Sequence, residues 1–134
     1  MTTAQTDPPT SILFSQFFKR PVGPYGLEPT STLLGLSGRS IELKGFPVRR
    51  SDSDGGPWIL SPVPVFLGDE DESLADDLPA SIAHLQGLKA EGLDHFKTCP
   101  GRLAVTGTLD LGPRREPDER ISYVRVHVQS LRCE

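Results

Sequence analysis

Two short blocks constrain this chain more than any other part of it: Gly38-Arg39-Ser40-Ile41-Glu42-Leu43-Lys44-Gly45 and Gly101-Arg102-Leu103-Ala104-Val105-Thr106-Gly107. Each opens on a Gly-Arg turn, continues in an alternating apolar pattern, and then sets a second glycine inside that pattern. Period-two alternation marks a half-buried strand, and a glycine within it marks a bulge or a place with no room for a side chain. The blocks predict two bent strands of a small β-structure. In the first, Ile41 and Leu43 share a face while Phe46 and Val48 continue one residue out of phase, so Gly45 is expected at a β-bulge. In the second, Leu103, Val105, Gly107, Leu109 and Leu111 stay in phase, so Gly107 is expected to point inward at a barrel bend. The flanks of the two blocks do not match, which argues for shared strand chemistry and against a repeat.

The first strand is expected over about Arg39 to Arg49 and a second over Trp58 to Phe66. Pro62 and Pro64, two apart, remove donors from one side of the ladder, so that stretch is an edge or leaves the sheet. Pro79 to Leu85 reads as a third strand, Gln86 to Pro100 as a loop or helical turn, and Arg102 to Leu111 as a fourth strand. Gly112 to Arg120 reads as a polar hairpin loop. Ile121 to Gln129 closes the set, with Val124, Val126 and Val128 inward and Tyr123, Arg125, His127 and Gln129 outward.

Ahead of the strands, residues 1–10 read as a disordered tail. Leu13, Phe14, Phe17 and Phe18 match helical spacing, although the same segment also fits an extended arm. Lys19 to Pro29, broken by Pro21, Gly23, Pro24 and Gly26, is expected to wrap the domain as an ordered loop anchored by Val22, Tyr25 and Leu27. Thr30 or Ser31 is placed to cap a short helical turn through Leu33, Leu34 and Leu36. With 134 residues the chain suits one domain, over 11–134. The expected class is mainly β: a small five-stranded, partly open barrel of OB type with an irregular Pro/Gly-rich N-terminal arm.

Composition narrows the function classes. Fourteen Lys and Arg against eighteen Asp and Glu make a nucleic-acid backbone an unlikely main partner, since such binding rests on basic residues neutralising phosphates. Met1 to Thr10 lacks the basic and apolar regions of a signal peptide, and Ile12 to Phe18 is too short and too interrupted for a membrane span. A cytoplasmic protein without membrane insertion is expected. Cys99 and Cys133, without metal-type spacing, then read as free thiols, although the sequence also permits a bridge between them.

Few residues carry chemistry. The acidic tract from Asp69 to Asp77 lacks the spacing of a Ca²⁺ loop and reads as solvated charge. His84, His95 and Cys99 fall short of a metal set by one ligand, and nothing in the sequence activates Cys99 as a nucleophile. No metal or cofactor is expected, and no catalytic motif argues for an enzyme. Tyr123, Arg125 and His127 form the candidate surface for a protein partner, because Tyr and Arg are enriched at interfaces. Arg49 and Arg50 beside Trp58 form an alternative face for single-stranded nucleic acid or another anionic ligand, with the indole as stacking platform. Exposed strand edges also make a homodimer an expected assembly.

The order Pro21-Val22-Gly23-Pro24-Tyr25-Gly26-Leu27-Glu28, then Leu36-x-Gly38 into Ile41-x-Leu43-x-Gly45-Phe46, resembles small bacterial domains of unknown function. Asp76-Asp77-Leu78-Pro79, the run Val105 to Gly112 and Ser122-Tyr123-Val124-Arg125 fit the same pattern, over roughly residues 17–128. The resemblance implies an OB-like β-fold and, through relatives associated with ABC-transporter components, an accessory role in a transporter-linked complex. Several relatives carry a Cys-Pro-x-Cys element after the second strand. Here that stretch is Ser61-Pro62-Val63-Pro64, so the resemblance implies no metal or thiol role and carries over no catalytic residue. The expected function is a non-enzymatic accessory or scaffold protein.

Overall fold

The computed structural model describes residues 8–19, 24, 26–50, 58–67, 81–116 and 121–134. Along them run β1 (Thr10–Ser11), a 3-10 turn (Phe14–Gln16), α1 (Ser31–Gly35), β2 (Ser40–Pro47), β3 (Arg49–Arg50), β4 (Trp58–Ser61) and β5 (Phe66–Leu67). They continue through β6 (Ala83–Gln86), α2 (Ala90–Thr98), β7 (Leu103–Arg115) and β8 (Ile121–Cys133). The tail's first seven residues, Val22, Tyr25, the acidic tract and Arg120 lie outside the described residues.

Six strands form one mixed sheet in the order β1-β2-β4-β6-β8-β7, and β2 also pairs with β7. The mainly β class expected is what the chain shows, with a six-stranded mixed sheet in place of the five strands expected of a partly open barrel. Thr10 and Ser11, assigned to the tail and its junction, add a strand parallel to Ile41 and Glu42. The second strand ends at Ser61, where Pro62 and Pro64 withhold their donors. Phe66 and Leu67 leave it to pair in parallel with Arg49 and Arg50 in a separate two-stranded sheet. The stretch read as a loop or turn before Cys99 holds α2, a nine-residue helix. β7 and β8 extend four residues past their expected ends, to Arg115 and Cys133.

The core gathers the alternating residues the sequence singles out. Ile41 and Leu43 from β2, Leu103, Val105 and Leu109 from β7, and Val124 and Val126 from β8 are all buried, joined by Leu60, Leu85, Phe96 and the N-terminal Ile12, Phe14 and Phe17. Leu27, expected as an anchor of the arm, is instead 47% exposed.

Gly107 is buried in phase with Leu103, Val105 and Leu109, as expected, but the bulge expected at Gly45 lies there as well. β2 keeps one phase through Gly45, which is buried with Ile41 and Leu43. A Cβ there would lie 2.7 Å from the Phe14 ring and 2.8 Å from the Ser61 carbonyl oxygen, so Gly45 is where β4 and the N-terminal turn close on β2. The bulge lies at Gly107. Thr106 pairs with Ser130 and Gly107 with Val128, which leaves Gln129 of β8 as the extra residue.

Thr30 caps α1 as expected: its hydroxyl oxygen accepts from the Leu33 N–H at 3.1 Å and donates to the carbonyl of Gln16. One side chain thus ties the 3-10 turn to α1. Thr30→Ala is expected to cost about 1–2 kcal/mol and Thr30→Ser a few tenths, read from urea midpoints. Equal losses for the two variants would remove the hydroxyl from the account.

Cys99 and Cys133 are joined in a disulfide, with Cα atoms 5.6 Å apart. The free thiols expected are corrected, and the thiol argument for a reducing compartment falls with them. Cys99 directly follows α2 and Cys133 ends β8, so two elements distant in sequence meet there. Spacing alone could not show it.

Candidate functional site

The proposed partner surface on β8 separates into three environments. Tyr123 is half-buried, its ring 6.2 Å from that of Phe18. His127 is exposed, with Nε2 3.7 Å from Asp110 Oδ2. Arg125 is not outward: only 2% of it is exposed. β6 flanks it on one side and β7 on the other, and its guanidinium turns into a polar network. Nε donates to Asp110 Oδ2 at 2.9 Å, while Nη1 donates to the Gly112 carbonyl at 2.8 Å and to Ser122 Oγ at 2.9 Å. Ser122 in turn donates to the buried Glu116. A second irregularity in the β7–β8 register, at Gly112-Pro113, accompanies this arrangement. With Gly112 at a φ of 123°, the local chain aims a carbonyl at Arg125. Asp110, Ser122 and Glu116 were not singled out in the sequence, although Asp110 sits directly opposite Arg125 in the ladder.

The hydrogen bond from Arg125 holds the Asp110 carboxyl below its ordinary value. Burial opposes this by raising it, and the charges of Arg125, Arg114 and His127 add to the lowering. A depressed folded value means that the group stabilises fully above the unfolded carboxylate range, and that this contribution is lost as pH falls through the folded value. The stability gap between wild type and Asp110→Asn is therefore expected to be constant near neutrality and to close below about pH 4. Urea midpoints from pH 7 downward measure it. A gap unchanged at low pH would mean that the carboxylate charge is not what Arg125 uses.

The alternative ligand face is also partly spoken for. The Trp58 ring stands edge-on to Phe96 at 5.5 Å, with Lys97 Nζ 5.7 Å from its centroid. Arg49 and Arg50 lie on β3, next along the chain from β2. Of the metal candidates, His84 is buried on β6, His95 is on α2, and Cys99 is committed to its disulfide. Among the described residues no three His, Cys, Asp or Glu side chains are placed to hold a metal ion, and no helix is long and apolar enough to cross a membrane.

A groove of about 580 Å³ opens between the start of α2 and the far part of β8. Leu88, Lys89 and His95 form one wall and Val128 to Leu131 the other. Successive strand residues point to opposite faces, so four consecutive ones can line one cavity only along the strand's edge. The pairing explains why that edge is there. β6 matches β8 only from Arg125 to His127, and Gly87, at a φ of 74°, turns the chain away. Among the described residues, α2, a helix, is what faces β8 across the groove beyond His127. The sequence could not show the groove, because one wall is the segment read as a loop or helical turn, whose packing partner lies far off along the chain.

No protein-family model matches this chain, and no curated protein matches it. Among solved structures it is similar to a DUF3299 family protein from Pseudomonas aeruginosa PAO1, at 13% identity and a TM-score of 0.51. The match covers 93% of this chain and 95% of that one. The likeness is one of fold, to a protein from a family of domains of unknown function.

Proposed function

We propose that this chain is a non-enzymatic accessory protein of OB-like fold whose α2–β8 groove binds an extended segment of another protein. The OB-like reading is supported by the circuit of pairings β2-β4-β6-β8-β7 and back to β2, with α2 between the third and fourth of those strands along the chain. The binding reading is carried by the β8 edge from Val128 to Leu131. An edge presents backbone donors and acceptors that a partner strand can pair with, and natural proteins use such edges to capture extended peptides. Four residues of edge span about 13 Å, room for a short strand. Leu88, Val128 and Leu131 supply apolar contacts, and Lys89, Glu91 and His95 a polar rim. The resemblance to domains found with ABC-transporter components supports a transporter-linked complex as the setting.

A photo-cross-linker at exposed Gln129, with a second at exposed Arg115 as control, tests this in the native host. One defined partner captured from Gln129 and not from Arg115 is the expected result. Equal capture from both positions, or none, overturns it, and a cross-link to a second copy of this chain would assign the groove to a homodimer. The anionic-ligand alternative has less support, because the Trp58 ring, its stacking platform, is packed against Phe96.

A further inference from the structure

The groove's two walls are joined covalently, and the join is at one end. Cys99 stands immediately after the last turn of α2, and Cys133 is the last residue of β8. Within the helix, Phe96 is the buried side chain, and its ring packs on that of Trp58. At Gly92 the helix lies beside Leu131: a Cβ there would stand in ordinary contact with it, 3.6 Å from Leu131 Cδ2. The disulfide adds a covalent tie between the two walls just beyond the end of α2. The two sulfurs also differ in access, because Cys99 is 1% exposed whereas Cys133 is exposed.

We propose that the Cys99–Cys133 bond is a redox-operated clamp on the α2–β8 groove; oxidised, it sets the wall spacing, and reduced, it lets α2 move off β8. The regulatory part of this rests on the groove being the partner site. The chemistry is ordinary thiol–disulfide exchange with a small dithiol or a thioredoxin-type protein as reductant. A reductant thiolate attacks the accessible Cys133 sulfur, the Cys99–Cys133 bond breaks, and Cys99 leaves as a thiolate that takes up a proton. The reductant's second thiolate then attacks its own sulfur in the mixed disulfide, which releases Cys133. Two electrons pass to the protein, two cysteine thiols form, and the reductant is left as its disulfide.

Hydrogen exchange on the full chain, oxidised and then reduced without substitution, tests the clamp with no partner present. Amides of Ala90 to Thr98 are expected to exchange at least tenfold faster on reduction, while those of Leu103 to Leu109 and Val124 to Val126 keep their protection. Protection should return on reoxidation. Uniform loss across the sheet would make the bond a global staple, and no change in α2 would make it inert; either result overturns the clamp. Thiol trapping in intact cells adds a second arm: both redox states should be found as the oxidant load varies, and a bond oxidised throughout overturns the switch. The Gln129 cross-link, repeated on oxidised and reduced protein, separates the two readings. If α2 loosens but neither state captures a partner, the proposed function falls and the clamp stands.

Discussion

Replacing Arg125 with methionine is expected to cost about 3–5 kcal/mol, a large part of the stability of an ordinary domain. The side chain is 3% exposed and sits between a partly exposed carboxylate, Asp110, and a buried one, Glu116, which it reaches through Ser122. Methionine fills similar volume, so the loss reads the interactions and not a cavity. What remains is a Gly112 carbonyl without its donor and a Ser122 hydroxyl, still donating to Glu116, without the guanidinium that it accepts from. Burying such groups unsatisfied costs more than their bonds gain. Asp110 adds less, because its side chain is 34% exposed and water can replace the guanidinium there. Arg125→Lys should fall between, since an ammonium keeps the charge but not the planar fork that serves Asp110 and Gly112 together. Urea unfolding of the two variants, with Ser122→Ala to cut the link to Glu116, measures the ladder. A loss below about 1 kcal/mol for Arg125→Met would show that the network is not holding the strands.

How far the sequence carries can be followed through the same residues. Alternation placed the core side chains of β2, β7 and β8, because burial on one face of a strand imposes a period that survives in any single sequence. The same rule misplaced Arg125. It assumes that one face meets water, and here a paired β6 and a bulged β7 segment wall off a position that period two assigns to solvent. Thr30 was legible because a cap is a local bond between near neighbours in sequence. The partners of Arg125 and the pairing of Cys99 with Cys133 were not, since each depends on two segments meeting through the fold. The groove was hidden twice over, by a short helix of weak periodicity and by a strand edge that only the sheet order exposes. Gly45 and Gly107 make the distinction sharpest. Sequence marked Gly45 as the bulge and Gly107 as the place without room, yet which one carries the bulge depends on the partner strand, where Gln129 is the extra residue.

Gly107→Ala is the second large effect expected, about 3 kcal/mol or more, at the upper end of what overpacking a core costs. A Cβ at Gly107 would lie 2.2 Å from the His127 carbonyl oxygen and 2.9 Å from both the His127 carbonyl carbon and Val126 Cγ1. Two of these three atoms are backbone, so no rotamer change relieves the contact. The strand itself must shift, at the point where β8 takes up its extra residue. The consequence is therefore directional as well as large: residues beyond His127, which form the β8 wall of the groove and lead to Cys133, should lose hydrogen-exchange protection before residues 121–126 do. Gly92→Ala is the contrast, because its nearest neighbour is the mobile end of Leu88 at 3.2 Å and the site is helical. There the better helix propensity of alanine offsets the crowding, and a change within about 1 kcal/mol in either direction is expected. If Gly107→Ala proved as mild as Gly92→Ala, the bulge would be free to relax, and the β8 edge beside α2 could not be the rigid wall that a strand-binding groove requires.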